Sequence, residues 1–222
     1  MMKQYIFKIS YEGRFSYSWG YAIYSAFLEG LNKEVSNQTH DDVSFSQYIT
    51  PTQWVINSEK EYDFAEEYFL HKYNTTIKLS NKKIEEIKEQ ELADHYLVKG
   101  PYKKNLRLYF LTPTTFKQAG EYVLYPTHSL IMQSLTNKWN QWAQKFVLED
   151  ITWENCRISK YNLRSVAYSI KGVKIQGFVG YVDLFFWGPE SMVRLANMVC
   201  NFGNYSGTGI KTKLGMGGIM VE

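Results

Sequence analysis

The stretch LRSVAYSIKGVKIQGFVGYVDLFFW, residues 163–187, decides the fold of the second half of the chain. Its two arms, 163–170 and 173–187, are rich in aromatic and β-branched residues, which favour strands. Lys171-Gly172 separates the arms, and a two-residue connection that ends in glycine is typical of a β-hairpin. The stretch therefore predicts two neighbouring antiparallel strands.

Helical patterns flank this hairpin on both sides. The preceding one begins at Thr127, a residue type that caps helices, and its apolar side chains recur at helical spacing. That largely apolar face comprises His128, Ile131, Met132, Leu135, Trp139, Trp142 and Phe146. The following one opens at Pro189, which the first turn of a helix tolerates, and can end at Gly203. Its apolar stripe comprises Met192, Leu195, Ala196 and Val199.

Strand-like segments lie at 106–111 and 213–221, outside the two helices. The second half thus has the order β-α-β-β-α-β, which is the ferredoxin-like unit. The first half repeats this order more loosely. Its strands are predicted at 4–11, 43–49, 53–57 and 75–79, and its helices around 17–31 and 64–69.

A charged run separates the two halves. NKKIEEIKEQE, residues 81–91, indicates an exposed helix or a connection, and Gly100-Pro101 follows it. We therefore predict an α+β protein of two tandem ferredoxin-like (RRM-like) domains, 1–100 and 101–222. An antiparallel sheet backed by two helices leaves one face free, and many RNA-binding domains use such a face.

Charge is distributed unevenly between the halves. The whole chain carries a formal net charge of +3. Residues 1–100 contain 11 Lys and Arg against 15 Asp and Glu, a balance of −4, whereas residues 101–222 contain 14 against 7, a balance of +7. This asymmetry favours a polyanionic partner for the second half, although a solvated surface with an arbitrary bias is the plainer alternative.

Several classes of protein are disfavoured by the composition. Two cysteines, Cys156 and Cys200, supply neither a disulfide framework nor a zinc site, which favours reduced thiols and a cytoplasmic location. The N-terminal residues show no signal-peptide pattern, and no run reaches the ~18 apolar residues of a membrane span. We expect no membrane association, no cofactor and no bound metal.

The tail GNYSGTGIKTKLGMGG, residues 203–218, is the most informative stretch for function. Clustered glycines let backbone N–H groups converge on an anion, and lysine and threonine side chains add charge and donors for phosphates. The candidate RNA-binding residues are Gly207, Thr208, Gly209, Lys211, Thr212, Lys213, Gly215 and Gly217. The alternative is a strand whose glycines let it pass under a neighbouring helix.

Two nucleotide-binding motifs fail in this tail. A Walker loop needs Gly-Lys-Ser/Thr between a strand and a helix, but Ile210 separates Gly209 from Lys211 and a helix precedes the loop. A dinucleotide fingerprint needs a third glycine where Thr212 stands. A small-molecule or nucleotide enzyme is therefore disfavoured.

Four segments of the second half resemble one family in the expected order. They are the tail from Tyr205 to Gly218, FLTPTTFK at 110–117, SLTNKWNQ at 134–141 and GFVG at 177–180. Together these segments are similar to the signature of the CRISPR-associated RAMP proteins, and within them to the endoribonucleases that process CRISPR repeats. The first hundred residues match the family in general layout only.

This resemblance carries expectations about fold and function. It implies two ferredoxin-like domains, sequence-specific binding of CRISPR repeat RNA and cleavage of precursor CRISPR RNA. The family cleaves by attack of the neighbouring 2′-hydroxyl, which leaves a 2′,3′-cyclic phosphate and a 5′-hydroxyl, and uses no metal. Association with subunits of a CRISPR effector complex and formation of a homodimer are further expectations. A noncatalytic RNA-binding RAMP subunit of an effector complex is the alternative function.

Two residues are candidates for catalysis. His40 lies in a polar loop after the first helix, where the family places its catalytic histidine, and histidine titrates near working pH. Tyr24 matches a tyrosine that the family often carries on helix one, although it also falls within the apolar stripe of that helix. The family's lysine beyond the histidine is missing, because Asp41 and Asp42 stand there. Lys33 or a lysine of the second domain could replace it.

The other three histidines are expected in structural or solvated positions. We expect His71 to be a favourable cation near the end of a helix. His95 belongs to the charged connection and should be solvated. His128 lies on an apolar helix face and is expected to be a hydrogen-bonded core residue.

Overall fold

The computed structural model describes residues 1–31 and 45–222. The strands of the first half are β1 (Met2–Ser10), β2 (Ser46–Ile49), β3 (Gln53–Ser58), β4 (Glu67–Leu70) and β5 (Thr75–Ile87). They form one antiparallel sheet in the order β2-β3-β1-β5-β4. Its helices are α1 (Trp19–Leu31) and the short α2 (Glu89–Ala93), which continues into a π-helical segment (Asp94–Lys99).

One helix predicted for this half is wrong. The end of the predicted helix forms the edge strand β4, and Phe64 lies in an irregular segment before it. The Phe64 ring stacks on Phe27 of α1, with centroids 4.9 Å apart, and lies 5.8 Å from the ring of Trp54. The aromatic side chains that suggested a helix therefore do cover the sheet, but they do so from non-helical chain.

The charged run at 81–91 also differs from its prediction. Most of it continues β5 as far as Ile87, so the last strand of this half is much longer than the predicted 75–79. β4 pairs only with Thr75–Lys78 of β5, so the charged residues lie on the part of β5 whose outer edge β4 does not cover, where Lys and Glu protect against unwanted pairing. If β1, β2, β3 and β5 are counted as strands 1 to 4 of the unit, they nevertheless lie in the order 4-1-3-2 of a ferredoxin-like sheet.

The second half contains the predicted unit. Its strands are β6 (Asn105–Thr114), β7 (Phe116–Gln118), β8 (Glu121–Val123), β9 (Cys156–Ile170), β10 (Val173–Phe186) and β11 (Ile219–Val221), and its helices are α3 (His128–Trp142) and α4 (Glu190–Ser206). The sheet order is β11-β6-β10-β9, and β7 pairs with β8 in a separate small hairpin. Lys171 and Gly172 both have positive φ, 48° and 83°, as a tight two-residue hairpin requires.

The tandem of two ferredoxin-like units is confirmed. The described strands pair within residues 2–87 or within residues 105–221; α1 packs on the first sheet, and α3 and α4 pack in the core of the second. The boundary between 1–100 and 101–222 stays a prediction. Met2 and Ile87 of the first half are buried in the core of the second half, so apolar packing continues across that boundary.

Packing of α3 against α4 organises the second core. The Thr127 hydroxyl accepts a hydrogen bond from the Leu130 N–H and caps α3, as predicted. Trp139 and Trp142 of α3 contact the Phe202 ring of α4, with centroids 5.2 Å and 4.9 Å away. Burial of side chains of this size stabilises a fold by roughly 1.5–3 kcal/mol each.

Tyr168 of β9 joins the two halves through a socket lined by glycines. Its hydroxyl donates to the Leu214 carbonyl at 2.6 Å, and its side chain is fully buried. A Cβ at Gly20 of α1 would lie 3.0 Å from this hydroxyl, and one at Gly215 would lie 2.4 Å from it. Burial raises the pKa of Tyr168, so the phenol stays a neutral donor at physiological pH.

Alanine at Gly215 should destabilise the protein strongly. Gly215 has φ of +96°, and the new methyl group would collide with the Tyr168 hydroxyl. Backbone strain and overpacking together predict a loss of about 2–5 kcal/mol in the free energy of unfolding, measured by urea denaturation. Gly120→Ala is the matched control, because Gly120 has φ of +87° and no atom within 4 Å of the added Cβ. We expect about 1–2 kcal/mol there, and equal losses at the two sites would contradict the socket.

Candidate nucleic-acid interface

The glycine-rich tail leaves α4 at Gly207 and returns to the second sheet at β11. Several of its amides are directed to acceptors of the protein itself. The Thr208 N–H donates to the Gly217 carbonyl at 2.8 Å, and the Gly209 N–H donates to Ser134 Oγ at 2.8 Å. The Ile210 N–H donates to the Thr115 carbonyl at 3.0 Å. The Gly217 N–H donates to the Pro113 carbonyl at 3.1 Å, and the Gly218 N–H donates to Thr112 Oγ1 at 2.9 Å. The Thr208 amide closes the tail on itself, and the other four hold the tail against α3, β6 and the residue that follows β6.

Glycines in the tail also permit close backbone contacts. A Cβ at Gly217 would lie 2.1 Å from the Thr208 carbonyl oxygen, and one at Gly209 would lie 2.4 Å from the Thr115 carbonyl oxygen. Both glycines have positive φ, 71° and 77°. These contacts agree with the packing alternative for the tail. A phosphate-binding role for its glycines stays a prediction.

The polar side chains of the tail differ in exposure. Thr208 is fully buried, and its hydroxyl has no hydrogen-bond partner within the described residues. Thr212 is also buried, and its hydroxyl accepts a hydrogen bond from Lys138. Lys211 and Lys213 are half-buried. Of the predicted RNA-binding side chains, the two lysines are therefore the more exposed.

Lys138 of α3 is a functional candidate that sequence reasoning missed. Its Nζ donates to Thr212 Oγ1 at 2.8 Å. One helical turn earlier, Ser134 accepts the hydrogen bond from the tail, so α3 holds the tail with two side chains four residues apart. Burial, with a smaller effect from the charge of Lys213, lowers the pKa of Lys138 to about 8. In the sequence, its spacing from Ser134 within the segment 134–141 is the only signal of this role.

Gln47 of β2 connects the tail to α1. Its Nε2 donates to the Gly20 carbonyl at 3.0 Å and to the Lys213 carbonyl at 3.4 Å, and its Oε1 accepts from Trp54 Nε1 at 3.0 Å. Because Gln47 is fully buried, its amide needs these internal partners. The contacts fix the backbone of the tail relative to the start of α1.

The candidates for catalysis are described only in part. Lys33, His40, Asp41 and Asp42 lie outside the described residues. Tyr24 of α1 is completely buried, and its ring centroid lies 6.2 Å from that of Phe27. This position agrees with the core interpretation of Tyr24. A catalytic role for Tyr24 or for His40 stays a prediction.

The other histidines correct two expectations. His128 is not a core residue, because it begins α3, is half-buried and has Nε2 3.2 Å from Ser129 Oγ. His71 begins an exposed 3₁₀ turn after β4 instead of ending a helix. His95 is exposed, as expected.

The free face of the second sheet carries a covered aromatic pair. Tyr109 of β6 and Tyr181 of β10 are register partners with ring centroids 6.1 Å apart. The Arg107 guanidinium lies 4.1 Å from the centre of the Tyr181 ring. It also donates two hydrogen bonds to Asp183, at 2.6 and 2.7 Å, which hold the pKa of that carboxyl below its usual range. A nucleobase could take this position on Tyr181 only if Arg107 moved.

The described residues offer neither a metal site nor a membrane-spanning helix. Within residues 1–31 and 45–222, no group of three or more His, Cys, Asp and Glu side chains could hold a metal ion. Cys156 and Cys200 are buried free thiols, and burial raises the pKa of Cys156 to about 12. In the same ranges no helix has the length and apolar character needed to cross a membrane.

Comparison with known sequences gives matches in both halves. The family described as CRISPR-associated endoribonuclease Cas6 has a sequence model that matches residues 108–219, just over half of the chain. A CRISPR-associated endoribonuclease Cas6 from Streptococcus thermophilus is 32% identical over 187 residues, which are 77% of this chain and 75% of that protein. A Cas6 from Mycobacterium tuberculosis is 31% identical over 127 residues, which are 55% of this chain and 40% of that protein.

Solved structures with the same fold are also Cas6 proteins. A Cas6 product complex has a TM-score of 0.77 and 20% identity over the full length of both chains. Thermus thermophilus Cas6 has a TM-score of 0.75 and 19% identity, over 100% of this chain and 98% of that chain. The fold is thus shared at low identity, and the Streptococcus thermophilus relative extends the similarity to most of the sequence. The chain therefore belongs to the CRISPR-associated endoribonuclease Cas6 family.

Proposed function

We propose that this protein binds CRISPR repeat RNA and cuts precursor CRISPR RNA by attack of a 2′-hydroxyl on the adjacent phosphodiester, without a metal ion. The products would carry a 2′,3′-cyclic phosphate and a 5′-hydroxyl. Membership of the Cas6 family supports the endoribonuclease activity. Cas6 proteins of this fold are known in complex with a product and with a substrate mimic. We expect the protein to work in the cytoplasm.

Positive charge around the tail is the observation that carries the RNA-binding part of this proposal. Lys211 and Lys213 are half-buried on the tail, and Lys138 is hydrogen-bonded to Thr212 between them. Lysine ammonium groups contact phosphates independently of base sequence. The lysine that the family carries beyond its histidine is missing here, and this cluster is a source of the same charge from the second half.

The chemistry needs a proton acceptor and a proton donor in addition to charge. One group removes the proton of the 2′-oxygen, and another protonates the leaving 5′-oxygen. We assign one of these roles to His40, because an imidazole is present in both protonation states near neutral pH. A Cas6 in which a histidine is replaced by alanine is among the solved structures of this fold, at a TM-score of 0.72 and 18% identity.

Tyr24 enters the proposal through the resemblance of α1 to the family's first helix. Its hydroxyl would act as a proton donor or as a donor to the phosphate. Because the side chain is completely buried, that role requires α1 to expose it when RNA binds. Tyr24→Phe keeps the packed ring and removes the hydroxyl, so it separates the catalytic role from the core role.

His40→Ala should slow cleavage of repeat RNA under single-turnover conditions by about 10²- to 10⁴-fold, the usual contribution of a general acid or base. RNA affinity should change little, since lysines supply most of the binding. Wild-type cleavage in EDTA should proceed at the same rate and give a cyclic phosphate, which mass spectrometry of the products identifies.

The exposed residue His95 is the matched control, and His95→Ala should cleave normally. Cleavage by His40→Ala at the wild-type rate would place the catalyst elsewhere. Tight binding of repeat RNA by the wild type without any cleavage would instead assign the protein to the noncatalytic RAMP subunits of effector complexes. Assembly with such subunits, or as a homodimer, is a separate expectation that light scattering of the purified protein with and without RNA would examine.

Removal of the tail charges should weaken binding to all RNA sequences alike. For Lys211→Ala with Lys213→Ala, the slope of log affinity against log salt should fall by about 1–2 units, roughly one for each lost phosphate contact. Lys60→Ala with Lys88→Ala is the control, because both lysines are exposed and lie outside the tail. An unchanged slope in a folded tail variant would leave the tail as a packing element only.

A further inference from the structure

A groove of about 340 Å³ lies between α3 and the tail. One wall is the outer side of α3, which presents the amides of Gln133, Asn137 and Gln141 together with Lys138. Facing residues include Phe116, Lys117, Gly209 and Ile210. No Asp or Glu is among the described residues that line the groove, so its charge is positive.

Among the residues that the structure describes, Lys138 has no counter-ion. Thr212 Oγ1 is the only hydrogen-bond partner of its Nζ among the described residues, and none of the ion pairs within residues 1–31 and 45–222 involves it. A neutral hydroxyl replaces only part of the hydration that the ammonium loses on burial. Two Nζ protons therefore remain for a further acceptor.

Neighbouring positive charges further disfavour the protonated form of Lys138. Lys213 faces it from the tail, and Lys117 of β7 lines the same groove. Burial first, and repulsion by Lys213 second, lower the pKa of Lys138 to about 8. An anion in the groove would offset both effects, because it replaces lost hydration and compensates the like charges.

We propose that this groove is a subsite for one strand of the RNA substrate and that Lys138 binds a phosphodiester of that strand. This inference rests on the proposed function and adds a site on α3 to the predicted contacts of the tail. The amides of Gln133, Asn137 and Gln141 offer donors and acceptors that suit the base edges of an unpaired strand, and Gln133 Nε2 also donates to Asn137 Oδ1 at 2.8 Å. Lys117, which is exposed, adds charge for a neighbouring phosphate.

The test uses repeat RNA synthesised with 2′-O-methyl groups, which has no free 2′-hydroxyl and stays intact during binding. Fluorescence anisotropy would give the affinity between about 50 and 200 mM salt. We expect Lys138→Met to bind about ten- to a hundredfold more weakly at low salt and to lose about 0.7–0.9 units of salt slope. Lys138→Arg should restore the slope, and the exposed control Lys60→Met should match the wild type.

The pH dependence of binding separates phosphate contact from a merely structural role. Wild-type affinity should fall as pH rises through about 8, because the free protein then loses the proton on Lys138 that the phosphate requires. The fall is limited to about tenfold per pH unit. Lys138→Arg keeps its charge at every pH in this range and should show no such fall. This comparison needs only the wild type and the charged variant, so it holds even if Lys138→Met does not fold.

The outcomes distinguish this inference from the function on which it rests. If the wild type binds repeat RNA, but its pH profile equals that of Lys138→Arg and the methionine variant keeps the full salt slope, the subsite is overturned and the proposed function stands. If the wild type binds no repeat RNA, both are overturned. A loss of slope in Lys138→Met, restored by arginine, together with the pH difference, establishes the subsite.

Discussion

The close backbone contact between Gly217 and Thr208 is the constraint on which the second half depends. The Thr208 N–H donates to the Gly217 carbonyl, and the Thr208 carbonyl occupies the space that a side chain at Gly217 would need. This contact closes the tail into a loop between α4 and β11. Because the loop is closed, β11 reaches the middle of β6 and completes the four-stranded sheet. Lys211 and Lys213 therefore project from a backbone that the sheet itself holds in place.

The same tail carries polar contacts to both halves of the chain. Tyr168 bonds to the Leu214 carbonyl, Gln47 bonds to the Lys213 carbonyl, and Ser46 Oγ donates to the Tyr205 carbonyl at 2.5 Å. Buried polar groups with satisfied partners are rigid, since each broken bond would leave an unpaired group in a low dielectric. A reaction that draws its proton transfer from one half and its phosphate contacts from the other needs this fixed geometry, because small misplacements slow catalysis.

Sequence patterns predicted the second half because its strands and helices are long and strongly periodic. The first half was predicted less well, since a short aromatic cluster such as that around Phe64 covers a sheet equally well from a helix or from irregular chain. Candidate residues in the tail were found because glycine and lysine cluster visibly there. Lys138 was missed because its exceptional property, a charge with no counter-ion among the described residues, depends on what the fold packs around it. The assignment of His40 came from family resemblance, and spacing alone would not have singled it out.

Placement of Lys138 links the stability of the fold to its ligand. An unfolded chain would hold the proton of this lysine up to a pKa of about 10.4, whereas the folded protein releases it near pH 8. The unfolded state therefore binds more protons between these values, and the fold gains stability as pH rises through that window. At neutral pH the fold carries the full free-energy cost of burying the protonated Lys138, so the free protein is less stable than its packing would allow. The fold thus loses stability at a position that favours binding of an anion. Any polyanion that binds in the groove should stabilise the folded protein and raise its melting temperature.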